Sequence, residues 1–190
     1  MIRFNAKVIQ LLFKPKRYWE FIFSRKLTDK DVFVKTLLPI SILLILAILL
    51  GPLNIFECFS LPDLVISILY GFVFPNSLVL ASSWMVYKLA KPLGSNASLQ
   101  QSLVMISFSL LPYFIALFFI YIFQLNHKFE LIGLLGIYFY YLACKKYIEI
   151  IERHFISYII ISVIITLGIY TILKSILGMI SLISFINFSF

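Results

Sequence analysis

From Leu64 to Tyr87 the chain runs without a single Asp, Glu, Lys, Arg or His, yet it sets Pro75 and Asn76 side by side at the midpoint. A stretch of this length and character suits a helix crossing a hydrocarbon core about 30 Å thick. Proline at its centre has no N–H, so the carbonyl of Gly71 loses its helical donor, which costs about 3 kcal/mol in water. Membrane helices tolerate such a break when a neighbouring helix or a polar side chain satisfies the freed group. Asn76 is placed to do this, for its own helix or for another.

The rest of the chain agrees. Of its 190 residues, 62% are hydrophobic and 13% charged, against about 25% charged in an ordinary soluble domain. Apolar segments and short loops account for nearly all of it, leaving no room for a soluble domain. Five spanning segments are expected, near Val34 to Leu53, Leu64 to Tyr87, Gln101 to Phe123, Leu131 to Cys144 and Phe155 to Leu173. The second is long enough to tilt or kink, with Pro75 as the kink point. The fourth reaches only about 21 Å as an α-helix, so it must borrow from its flanks, thin the bilayer or be partly re-entrant. The fold class is all-α: an integral membrane bundle of five transmembrane helices preceded by an N-terminal amphipathic interfacial segment. Residues 1–33 form the cytoplasmic basic and aromatic flank, 34–177 the transmembrane domain, and 178–190 an apolar C-terminal tail on the non-cytoplasmic side. That tail is too short to cross again.

Net charge is +8, which in a soluble protein would suggest nucleic acid. The placement of the charges argues for a membrane instead. Nine of the sixteen Lys and Arg fall in the first 35 residues, interleaved with aromatics. With the loops holding Lys88, Lys91, Lys145, Lys146 and Arg153, they share one side of the expected topology; Lys128 and Lys174 stand alone on the other. Such a bias puts the N-terminus in the cytoplasm and the C-terminus outside a cytoplasmic (inner) membrane. Cys58 and Cys144 then lie on opposite sides and cannot pair.

The flank itself carries the first candidate site. Ile2, Val8, Ile9, Leu12 and Phe13 can share one helical face, and Pro15 suits the first turn of a second short helix. Tyr18, Trp19, Phe21 and Ile22 follow, with Lys14, Lys16 and Arg17 around them. Aromatics among basic residues suit an interfacial anchor on anionic headgroups. Lys14, Lys16, Arg17 and Trp19 are therefore candidates for lipid or partner binding. The plainer alternative is that the segment only covers the cytoplasmic end of the bundle.

Inside the segments, small and polar residues recur at helical spacing: Ser67, Gly71, Pro75 and Ser82; Ser102, Ser109, Pro112 and Ala116; Gly133 and Gly136; Thr171 and Ser175. They read as contact stripes where helices approach closely. No segment carries an ionisable group near its middle, which disfavours ion-coupled transport. A rival reading, a small permease or channel subunit, would line its passage with Asn76, Ser109 and Tyr140. No catalytic motif, metal site or cofactor site is expected. Glu149, Glu152, Arg153 and His154 cluster near the fourth loop, but Lys145 to Glu149 and Glu149 to Arg153 are i, i+4 pairs that fit a solvated turn. His127 lies on the other side.

Between the second and third segments, Pro92 and Gly94 make a turn, and Ser98 with Gln101 forms a capping box that starts the third. Beyond that loop comes Ser107-Phe108-Ser109-Leu110-Leu111-Pro112, and later Gly133-Leu134-Leu135-Gly136-Ile137-Tyr138-Phe139-Tyr140-Tyr141-Leu142. Together with the opening Pro15-Lys16-Arg17-Tyr18-Trp19-Glu20-Phe21-Ile22, and Pro39 and Gly51 bounding the first span, these resemble the Yip domain family. That family comprises small five-span membrane proteins named for members that interact with Ypt/Rab GTPases; the likeness is to its short bacterial type and covers Pro15 to about Leu173. Members often continue with glycine and proline after the fourth span, where this chain has Ala143-Cys144-Lys145. It also lacks the long cytosolic N-terminal region and the Asp-Leu-Tyr-Gly-Pro type sequence of eukaryotic members, so Rab binding is not carried over. The resemblance implies a non-enzymatic membrane adaptor or organising component. Its expected partners are a bilayer with anionic headgroups and a cytosolic or membrane protein, with self-association open to it and nucleic acid excluded.

Overall fold

The computed structural model describes residues 15–24, 27–51, 61–95, 97–148 and 151–188, with only the backbone for 61–63 and 181–188. All of the regular structure described is helical. In chain order come α1 (Pro15–Ser24), α2 (Asp29–Leu50), α3 (Leu64–Leu93), α4 (Leu99–Phe123), a 3₁₀ segment (His127–Leu134) running into α5 (Leu135–Tyr147), and α6 (Glu152–Phe188). Four of these, α2, α3, α4 and α6, are long and apolar enough to cross a membrane.

Prolines punctuate three of the four. Pro39, Pro75 and Pro112 each stand at the start of an α-helical stretch that follows an irregularity. In α2 and α3 this is a π turn, Phe33–Leu37 and Leu69–Val73, closed by Leu38 N–H donating to Phe33 O and Phe74 N–H to Leu69 O. In α4 it is a bend at Leu110. A proline that removes one i to i−4 bond sits without clash where the preceding turn has already widened. Each proline thus stands where the helix is already irregular.

Helix α2 starts earlier than hydropathy alone would place it. Thr28 Oγ1 accepts from Asp31 N–H at 3.2 Å and Asp31 Oδ2 accepts from Thr28 N–H at 3.1 Å, a capping box that begins the helix at Asp29. The box expected at α4 is present, with Gln101 N–H donating to Ser98 Oγ at 3.1 Å and Ser98 N–H to Gln101 Oε1 at 2.8 Å. Gly94, at φ +76°, makes the left-handed turn before it, a conformation that a side chain would strain.

Around α4 the other helices gather. Residues Ser102 to Ser109 are buried without interruption, so this helix presents no lipid face there. Helix α3 packs between α2, the first half of α4 and α6, while the second half of α4 meets α2 and the 3₁₀ segment. Helix α5 lies on the first half of α4 and reaches α1.

Two expected boundaries differ. The fourth expected span is not one long helix: α5 has 13 residues, and the segment before it is 3₁₀, whose rise of about 2.0 Å per residue stretches it further than an α-helix would reach. The fifth continues through Gly178 without a break to Phe188, 37 residues in all, so 178–190 does not begin as a separate tail. Glycine lowers helix propensity but does not end a helix by itself.

Candidate functional site

Helix α1 is amphipathic, and its apolar face meets protein. Tyr18, Trp19 and Ile22 are each no more than 2% exposed. Trp19 and Tyr18 both meet Phe108 of α4 edge to face, at centroid distances of 6.3 and 5.8 Å, and Phe23 stacks on Tyr147 of α5 at 3.8 Å. Trp19 is therefore no lipid- or partner-facing residue: its ring is consumed in fixing α1 to the bundle. Lys16 and Arg17 are exposed on the opposite face, and Lys14 lies outside the described residues.

This end of the molecule is electropositive. Gln100 Nε2 donates to Leu27 O, Ile151 lies against Gly94, and Lys146 pairs with Glu20, so α1, the turn before α4 and the end of α5 converge here. Among the described residues, Lys128 and Lys174 are the two Lys or Arg placed at the other end. Hydrogen bonding and charge from Lys146 hold the Glu20 carboxyl below its usual range, and the same pairing raises Lys146. Glu149, one member of the expected i, i+4 pairs, lies outside the described residues.

Pro75 and Asn76 are both buried in α3. Asn76 Nδ2 donates to Phe72 O at 2.7 Å and to Ser41 Oγ of α2 at 2.9 Å. The Nδ2 thus serves its own helix and the neighbouring one at once, while the Oδ1 is buried without a hydrogen-bond partner among the described residues.

Ser109, Gly133, Gly136 and Tyr140, by contrast, come together around a cavity of about 520 Å³ bounded by α4, the 3₁₀ segment, α5 and α6. Pro112, next along α4, is buried but does not line it. The glycines let α5 close on α4: a Cβ on Gly136 would collide with the Ser109 carbonyl oxygen, and one on Gly133 would press on the Tyr113 ring at 3.0 Å. The walls are largely apolar, with Ser162 and Thr166 from α6 adding hydroxyls. Neither was among the expected site residues, although their i, i+4 spacing on one apolar helix was a usable signal.

One end of the cavity is charged. There Glu130 accepts from Tyr170 Oη at 2.8 Å and from Lys174 Nζ at 3.3 Å, and pairs with His127 at 2.9 Å. Partial burial raises the Glu130 pKa, but the bonds from Tyr170 and His127 and the charge of Lys174 outweigh it, leaving the carboxyl below its ordinary value.

No family model matches the chain, and neither does any curated protein or solved structure.

Proposed function

We propose that this chain is a Yip-like, non-enzymatic membrane component that acts as an adaptor or organiser through its basic end. The observation that carries the reading is the seating of α1: its aromatics are spent on Phe108 and Tyr147, so Lys16 and Arg17 are held in place on an electropositive platform. A fixed array of cations suits anionic headgroups, or an acidic face of a cytosolic partner, better than a loose tail would. In this reading the basic end faces the cytoplasm of a bacterial inner membrane, and the 131–144 stretch makes a fifth crossing. Supporting that crossing, the 3₁₀ segment starts beyond the end of α4 where Gln124 Nε2 donates to Gly51 O, and α5 ends beside α1.

Neutralising Lys14, Lys16 and Arg17 together should abolish capture of a cytosolic partner, or preference for anionic lipid, while leaving insertion intact. Crosslinking in native membranes followed by mass spectrometry, with the intact chain as reference, measures this; unchanged capture and lipid preference would sink the proposal. The permease reading keeps one favourable observation, the joint presence of Ser109 and Tyr140 at the cavity. Its third residue, Asn76, is bonded elsewhere.

A further inference from the structure

The cavity between α4, α5 and α6 has a polar floor that the fold leaves unused. Ser109, Tyr140 and Ser162 are 4%, 4% and 1% exposed, line the cavity, and have hydroxyls with no hydrogen-bond partner among the described residues. Tyr140 stacks near Tyr158, centroids 6.5 Å apart, and the hydroxyls of Tyr140, Tyr158 and Ser162 are near enough to act on one another, yet none meets a partner in hydrogen-bonding geometry among the described residues. A buried hydroxyl without a partner loses about 1–3 kcal/mol, so three around one space mark a place where an acceptor or donor belongs.

The surroundings select its chemistry. The charged residues His127, Lys128 and Glu130 lie at one end, about 12 Å along α6 from the floor, judged by the rise from Ser162 to Tyr170. No cation or carboxylate lines the floor itself, and a charge brought there would be expensive. The rim is aliphatic: Leu131, Leu134 and Leu167 are 65%, 56% and 53% exposed, on faces that in a bilayer meet acyl chains.

We infer that this cavity binds a neutral lipid, an aliphatic chain bearing a hydroxyl or carbonyl oxygen, which enters sideways between α5 and α6 and sets its oxygen among Ser109, Tyr140 and Ser162. The inference stands apart from the reading of the basic end and survives or fails without it.

Two photoreactive probes test it on the full chain in lipid nanodiscs: a long-chain alcohol with a mid-chain diazirine, and the hydrocarbon of equal length with the same group. The alcohol should label cavity-wall residues such as Ile137 and Val163 with about fivefold higher apparent affinity than the hydrocarbon, the factor expected of one net hydrogen bond. The combined variant Ser109→Ala, Tyr140→Phe, Ser162→Ala should bring the two probes to parity. Because the groups removed are unpaired in the unliganded fold, its thermal midpoint should stay level or rise, which separates lost recognition from lost folding. Filling the space with Thr166→Trp should suppress both probes. Equal labelling of the intact chain by the two probes, no labelling of the cavity wall, or selectivity that persists in the triple variant would each overturn the inference.

Discussion

Helices α4 and α6 are almost equally apolar, but 72% of the most apolar stretch of α4 is buried within the protein against 17% for α6. In water this contrast would be written in the sequence, because an outer helix needs a polar face. In a bilayer the outside is as apolar as the inside, and what separates the two is packing. Helix α4 is enclosed because its small residues admit neighbours. Helix α6 rests along α3 and turns Ile156, Ile160, Ile164 and Ile172 outward.

The contrast can be broken first at Phe108, fully buried in α4 beneath Tyr18 and Trp19. Phe108→Ala should destabilise the bundle by about 3 kcal/mol, mostly through the cavity it leaves. Ile164→Ala on α6, whose side chain is 62% exposed, should change stability by less than about 0.5 kcal/mol. Thermal unfolding of both variants in one detergent checks the pair; equal losses would mean that α6 is covered by something in solution.

Glycines sharpen it further. Gly136→Ala should cost about 1–3 kcal/mol, because the new Cβ meets the Ser109 carbonyl and α5 must move off α4. Gly168→Ala on α6 should instead stabilise by up to about 1 kcal/mol, since nothing lies within 4 Å of the added carbon and helix propensity alone speaks. Opposite signs in the same assay are the expected result.

The smallest effect concerns the polar tie between α6 and the 3₁₀ segment. Glu130 has a lowered pKa, so its contribution is fully present above the ordinary carboxylate value of 4.5 and is lost as pH falls below it through the folded value. Acidification through that range should lower the thermal midpoint of the intact chain slightly more than that of Glu130→Gln. Parallel acid profiles would show that the tie with Tyr170 and Lys174 carries no stability.

Much of the architecture was legible because bilayer crossing imposes length and composition together. The apolar stretches of α2, α3, α4 and α6, the Gly94 turn and the Ser98–Gln101 box all follow from local chemistry visible in the residues. The Thr28–Asp31 box is equally local, but it lies ahead of the apolar onset at Val34, in a polar stretch that hydropathy alone does not assign to a helix. Trp19 illustrates a deeper limit. A helix with an apolar aromatic face looks the same whether that face meets lipid or the end of a bundle, and only the position of Phe108 decides. The cavity was half legible: Ser109 and Tyr140 stood out as polar residues in apolar spans, whereas Asn76, chosen on the same ground, was needed by Phe72 and Ser41. Residue type alone does not separate a hydroxyl left open from an amide whose donor is already engaged.

The seating of α1 also bears on the order in which the chain can mature. Its partners, Phe108 and Tyr147, are made long after Trp19 and Phe23 leave the ribosome. At about 5–20 residues per second, the wait is on the order of ten seconds. For that interval a helix with a tryptophan, a tyrosine and flanking cations has no protein surface to cover it, and the nearest apolar boundary is the bilayer itself. Helix α1 therefore cannot take its final seat until α4 and α5 have both been made, which makes its docking a late step although it lies early in the chain.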